Sequence, residues 1–222
     1  MKTSVRTAIA LSAVAAATGA WTTVAQAHPT SPAAAHDAVH APSGDAGYGW
    51  AAVREGVPDS AAHFTVTSPD VRDGGTFPTD AYANAFGCAG ANRQVRLAWH
   101  GAPRGTRSYA VTMYDPDAPS GSGFWHWLTW DIPADATALG TDLPSGAVAG
   151  TDDAGVTGYL GPCPPAGDVT HHYWISVYAL DVPTLALPAG TPAAVTTFTM
   201  SGHVIGYARL TALAHRPGPV AE

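Results

Sequence analysis

Lysine is almost missing from this chain: Lys2 is the only one in 222 residues. Beyond the first residues nothing can form a lysine Schiff base or act as a phosphate-loop lysine. Charge of either sign is scarce, at 12% of residues, and acids outnumber bases to give a net charge of −7. Counterion release on nucleic acid needs a basic face, and the arginines are scattered, so no nucleic-acid partner is expected. No Gly-x-Ser-x-Gly elbow, His-Glu-x-x-His pair or phosphate loop occurs, so no reaction can be named, and no cofactor is expected. Cysteine is limited to Cys88 and Cys163.

The apolar runs are short as well. Ala8 to Ala20 follows Lys2 and Arg6 and precedes Ala25-Gln26-Ala27, a small-x-small pattern that reads as an export signal over 1–27, cleaved after Ala27. A membrane anchor fits less well, because the run falls short of the ~20 residues a bilayer needs and contains Ser12, Thr18 and Gly19. Losing the leader removes two cations and no acid, taking the net charge from −7 to −9. The expected location is therefore secreted or extracellular, with no membrane span. Residues 28–46, built of Ala, Pro, Ser, Gly and His, cannot bury enough apolar area to offset their ordering entropy and read as a flexible leader. His28, His36 and His40 are too irregularly spaced for a metal site. One domain is expected over 47–215, followed by a disordered tail at 216–222. In an oxidising compartment the two cysteines favour a disulfide, which would stabilise by about 4 kcal/mol through chain entropy; two buried thiols are the alternative.

Five short runs rich in β-branched and aromatic residues, Phe64–Thr67, Val95–Trp99, Tyr109–Tyr114, Trp125–Ile132 and Tyr173–Leu180, are bounded by Gly and Pro turns. They predict a mainly β fold, an antiparallel sandwich rather than β-α-β units. A helix is expected only locally, near Pro192–Met200, before a last strand at Val204–Leu213. Strand alternation puts Phe124, His126, Leu128 and Trp130 on one face and Trp125, Trp127 and Thr129 on the other. It also groups His171, Tyr173, Ile175 and Val177 against His172, Trp174 and Ser176. The parity lets Asp115, His126, His171 and Tyr173 converge.

Chemistry concentrates in two loops. Tyr114-Asp115-Pro116-Asp117-Ala118-Pro119 leads to Phe124-Trp125-His126-Trp127, and Gly161-Pro162-Cys163-Pro164-Pro165 leads to His171-His172-Tyr173. Each is a stiff loop that feeds titratable groups into an aromatic strand. Read singly, Asp115-Pro116-Asp117 could be a strand-ending Asx turn, each histidine an interior side chain and each proline plain punctuation, with a cis X-Pro bond open. No ligand pair has zinc spacing, so no metal is expected.

These runs, with Phe86–Asn92, Gly158–Asp168 and Gly202-His203-Val204, resemble the phosphatidylethanolamine-binding protein (PEBP) family in its bacterial, Raf-kinase-inhibitor-like branch, over roughly Phe64 to Leu213. The resemblance implies a PEBP-like antiparallel β-sandwich with a few short peripheral helices. It also implies that Asp115, Asp117, Phe124, His126, Pro165, His171 and Tyr173 line a small anion-binding pocket. Phe124 stands where relatives commonly carry tryptophan, His172 replaces a frequent arginine, and Arg93-Gln94 stands where a Ser-Pro pair is common. The implied role is an exported binding protein for a small anionic ligand, phosphate or a phospholipid head group, with Asp115 orienting or charging a histidine. Backbone N–H groups of the Gly161–Gly167 loop and the Tyr173 hydroxyl would then receive the anion. Two alternatives stand beside it: a protease- or kinase-inhibitor-like protein whose target docks on Trp125, Trp127 and Trp174, and an enzyme using Asp115 with His126 or His171 as general acid or base.

Overall fold

Alternation of apolar and polar residues along the chain is realised as ten strands, which the computed structural model describes within residues 48–218. The export segment, the leader and residues 219–222 lie outside the described residues. In chain order the strands are β1 (Ala62–His63), β2 (Thr65–Thr67), β3 (Gly75–Thr76), β4 (Leu97–His100), β5 (Ser108–Asp115), β6 (Phe124–Pro133), β7 (Ala138–Leu139), β8 (Val148–Ala149), β9 (His171–Leu180) and β10 (Val204–Ala214). A 3-10 turn at Thr79–Ala81 and one helix, α1 (Ala193–Ser201), complete the secondary structure. The larger sheet runs β1-β10-β9-β5-β6-β8 with β3 also paired to β10, and a smaller sheet runs β2-β4-β7. The long central pairings are antiparallel, and only the short β1 and β3 lie parallel to β10.

Between the sheets lies a core of Leu97, Trp99, Val111, Met113, Trp127, Tyr173, Ile175 and Val177. The outer face of the large sheet forms a second core, where Leu128, Trp130, Tyr178 and Leu180 meet Ala193 and Met200 of α1. β9 follows the expected alternation. β6 does not: Tyr114 pairs with Trp125 but Met113 pairs with Trp127, so His126 is an inserted residue. This bulge turns His126 and Trp127 toward the inner layer together and sends Leu128 and Trp130 to the outer one. A second insertion at Asp131, held at φ 56°, restores Ile132 to the inner core.

Cys88 and Cys163 form a disulfide, with Cα atoms 5.9 Å apart. Around it Arg216 donates to Gly87 O at 2.9 Å and to Pro164 O at 3.2 Å, so this residue of the expected tail pins the bridge region. Gly161 tolerates no side chain, since a Cβ there would lie 2.1 Å from Ala81 O. Arg93, one of the departures from the family pattern, pairs with Asp70 at 3.1 Å and Asp80 at 2.6 Å. Among the described residues no peptide bond is cis, so the proline-rich loops are trans.

Candidate functional site

The C-terminal end of β5, the start of β6, the start of β9 and the 160–168 loop meet at one end of the inner layer. β5 lies between β6 and β9, with Asp115 opposite Phe124 and Tyr114 opposite Trp174. Residues far apart in sequence are therefore neighbours at this end.

His171 is the centre. Its Nδ1 lies 2.8 Å from Asp115 Oδ2 and its Nε2 lies 3.3 Å from Asp168 Oδ2, all three side chains being buried. A carboxylate can only accept, so a ring flanked by two of them donates from both nitrogens, which is the imidazolium form. Burial alone would discharge it; the hydrogen bond and charge of Asp115, with those of Asp168, outweigh burial and raise its pKa. Asp115 is itself oriented, because Oδ1 accepts the Asp117 N–H at 2.9 Å in an Asx turn.

His126 differs. Its Nδ1 lies 3.2 Å from Leu160 O, and Leu160 N donates back to His126 O at 2.9 Å. A carbonyl accepts, so Nδ1 carries the hydrogen and Nε2 is left as an acceptor. Burial pushes the pKa of His126 down to about 4, against the pull of Asp115.

Tyr173 stands between the two imidazoles, with ring centroids 5.1 Å from His126 and 6.5 Å from His171, and Phe77 packs edge-on at 5.4 Å. Its hydroxyl is buried and has no hydrogen-bond partner. Burial, then the charge of Asp115 and its carboxylate's pull on the hydroxyl hydrogen, raise its pKa well above 10, which keeps the proton on oxygen. Phe124 packs on His126 at 4.8 Å and is half-buried.

Asp115, Phe124, His126, His171 and Tyr173 are thus gathered. Asp117 stands beside them, its Oδ2 accepting the N–H of His172 at 2.6 Å and facing His172 Nδ1 at 2.8 Å; the histidine replacing the family's arginine keeps that carboxylate paired. Pro165 is exposed on the loop rim, and its carbonyl accepts the Asp168 N–H. The loop amides differ from expectation: Gly161 N donates to Asn92 Oδ1 at 2.7 Å and Gly167 N to Arg216 O at 2.9 Å, so both are already committed. Asp168 was not among the candidate residues; its sequence signal is its place at the end of the Gly158–Asp168 run, three residues before a histidine. Asp117, Asp168 and neighbouring prolines line a hollow of about 240 Å³ beside the cluster. Among the described residues no group of three or more His, Cys, Asp or Glu side chains is arranged to hold a metal ion.

The sequence profile of the family described as phosphatidylethanolamine-binding protein matches residues 67–215. YbcL of Escherichia coli (strain K12) is 42% identical over 159 residues, covering 68% of this chain and 87% of that protein. A protein of Mycobacterium tuberculosis named as a lipoprotein, LppC, is 35% identical over 152 residues, covering 68% of this chain and 72% of LppC. The crystal structure of E. coli YbcL, described as a new member of the mammalian PEBP family, aligns with a TM-score of 0.68 at 40% identity, over 69% of this chain and 99% of that one.

Proposed function

The chain belongs to the phosphatidylethanolamine-binding protein family, and on that premise we propose that it is an exported, non-catalytic binding protein for a small anionic ligand, phosphate or a phospholipid head group. The ligand is held at Tyr173, His126 and His171. The observation that carries this reading is the Tyr173 hydroxyl: a buried donor that faces Asp115 without meeting any partner in hydrogen-bond geometry, beside an imidazolium whose own donors are taken by Asp115 and Asp168. Leaving such a donor unpaired costs about 1–3 kcal/mol, which an anionic oxygen would recover. His126 Nε2 accepts, so a ligand that brings a hydrogen of its own, such as a monoprotonated phosphate, satisfies both groups.

Export is supported by the signal-like N-terminus and by the relative named as a lipoprotein. Within the described residues no helix is long and apolar enough to cross a membrane. General acid–base chemistry is disfavoured, because His171 has no free lone pair and His126, which takes up a second proton only below about pH 4, is a weak base and no acid near neutral pH. Docking of a target on the three tryptophans is disfavoured too, since Trp127 is buried and Trp125 packs against the outer core.

Binding should weaken as pH rises through the raised pKa of His171. Calorimetry with sulfate, whose charge is constant over the range, tests this without titration of the ligand. Affinity should hold from about pH 5.5 upward and fall severalfold once pH passes the raised pKa of His171, and an affinity that does not change across the pH at which NMR shows the His171 ring losing its second proton would refute the assignment.

A further inference from the structure

The outer face of the large sheet carries chemistry that the inner cluster does not use. Strand register sets two rungs side by side there. One is aromatic: Trp125 of β6 pairs with Tyr114 of β5, which pairs with Trp174 of β9. The Tyr114 ring lies 4.4 Å from that of Trp125 and 5.7 Å from that of Trp174, centroid to centroid. The next rung is polar: Thr112 of β5 pairs with Ser176 of β9, which pairs with Arg209 of β10. Residues two apart on a strand share a face, so both rungs floor one groove, walled by Val53–Pro58 and by α1. Its volume is about 830 Å³, within the roughly 300–1,000 Å³ usual for small-ligand sites.

The polar rung interrupts a face that is otherwise apolar, and Thr112 and Ser176 are 2% and 1% exposed. Ser176 has a clear task. Its Oγ accepts from Arg209 Nε at 3.0 Å, while the guanidinium lies 4.5 Å above the Trp174 ring. A guanidinium stacked on one side and hydrogen-bonded at its edge is held in a fixed plane, which suits a planar carboxylate. Glu55 already supplies one, with Oε1 2.7 Å from Arg209 Nη1. Ser176 and Glu55 use two of the five guanidinium hydrogens, which leaves three. Glu55 belongs to a stretch, residues 48–57, that no main-chain hydrogen bond joins to the rest of the described chain. Its side chain is 40% exposed, and ion pairs of that kind are weak, so a second carboxylate can compete with it. The charged side chains lining the groove are Arg54, Glu55 and Arg209, an excess of one cation in a chain of net charge −7.

We infer that this groove is a second ligand site, separate from the inner cluster, and that it takes a small aromatic carboxylate. The carboxylate bonds the Arg209 guanidinium on the polar rung, and the ring packs on the neighbouring aromatic rung against Trp125 and Trp174. Adjacent rungs on one face lie about 7 Å apart, a span that a two-ring carboxylate bridges. Glu55 is the chain's own competitor for the guanidinium, standing where the ligand's carboxylate would bind.

Calorimetry on the full chain at neutral pH, with 2-naphthoate and its uncharged isostere 2-naphthamide, tests this. The wild type should bind the acid about tenfold tighter than the amide. Glu55→Gln removes the competitor and should tighten the acid about threefold while leaving the amide within about twofold. Arg209→Gln should bring acid and amide within about twofold of each other. Glu55 lies outside both sheets on a partly exposed side chain, so its variant decides the matter even if Arg209→Gln fails to fold. Absence of naphthoate binding, equal wild-type affinity for acid and amide, or a Glu55→Gln affinity no higher than that of wild type overturns the inference. A preference for the acid that neither substitution changes would place the probe at the inner cluster, and overturns it too.

Discussion

His126 and His171 face the same tyrosine from the same layer and are both buried, yet one is neutral and the other charged. His126 meets a backbone carbonyl and is held neutral, whereas His171 meets two carboxylates and is held charged. Burial sets the penalty for charge, and the charge of the partner decides whether that penalty is overcome. Near neutral pH the cluster thus holds a cation and a neutral acceptor, with the Tyr173 hydroxyl between them.

The contrast breaks most forcefully at Asp115. Asp115→Asn leaves His171 with only the longer Asp168 contact, and removing one partner of a buried pair should cost about 3 kcal/mol or more in chemical denaturation. The pH dependence of stability comes next. His126 has a depressed pKa of about 4 against an ordinary 6.5, so its contribution is complete above about pH 6.5 and is lost as pH falls toward 4, some 3 kcal/mol in all. His171 has a raised pKa, so its contribution is complete below about pH 6.5 and is lost as pH rises through the raised value. Denaturation midpoints should therefore fall at both ends of the range. His126→Gln should flatten the acid limb and Asp115→Asn the alkaline one. The smallest effect belongs to Asp168→Asn, about 1 kcal/mol, because its bond to His171 is long at 3.3 Å; the alkaline limb should shrink without vanishing.

Much of this arrangement was legible in the chain. β-branched and aromatic runs marked β5, β6 and β9, a helix was expected where α1 lies, and parity allowed His171 and Tyr173 to share the inner face. The bulge at His126 was not legible, because an inserted residue in β6 is defined only against its partner β5. Strict alternation placed His126 with Leu128 and Trp130, which lie in the outer core. The commitment of the Gly161 and Gly167 amides was hidden for the same reason: Asn92 and Arg216 reach them across long stretches of chain. Asp168 ends the Gly158–Asp168 run, and its role becomes visible only where β9 begins three residues later and turns His171 onto it.

Tyr173→Phe is the most direct measurement. It deletes only the hydroxyl, so the unliganded protein should be as stable as wild type or up to about 1 kcal/mol more stable, while sulfate affinity falls about tenfold. Unchanged sulfate affinity, or a loss of stability as large as that of Asp115→Asn, would show that the hydroxyl serves the fold and receives no anion.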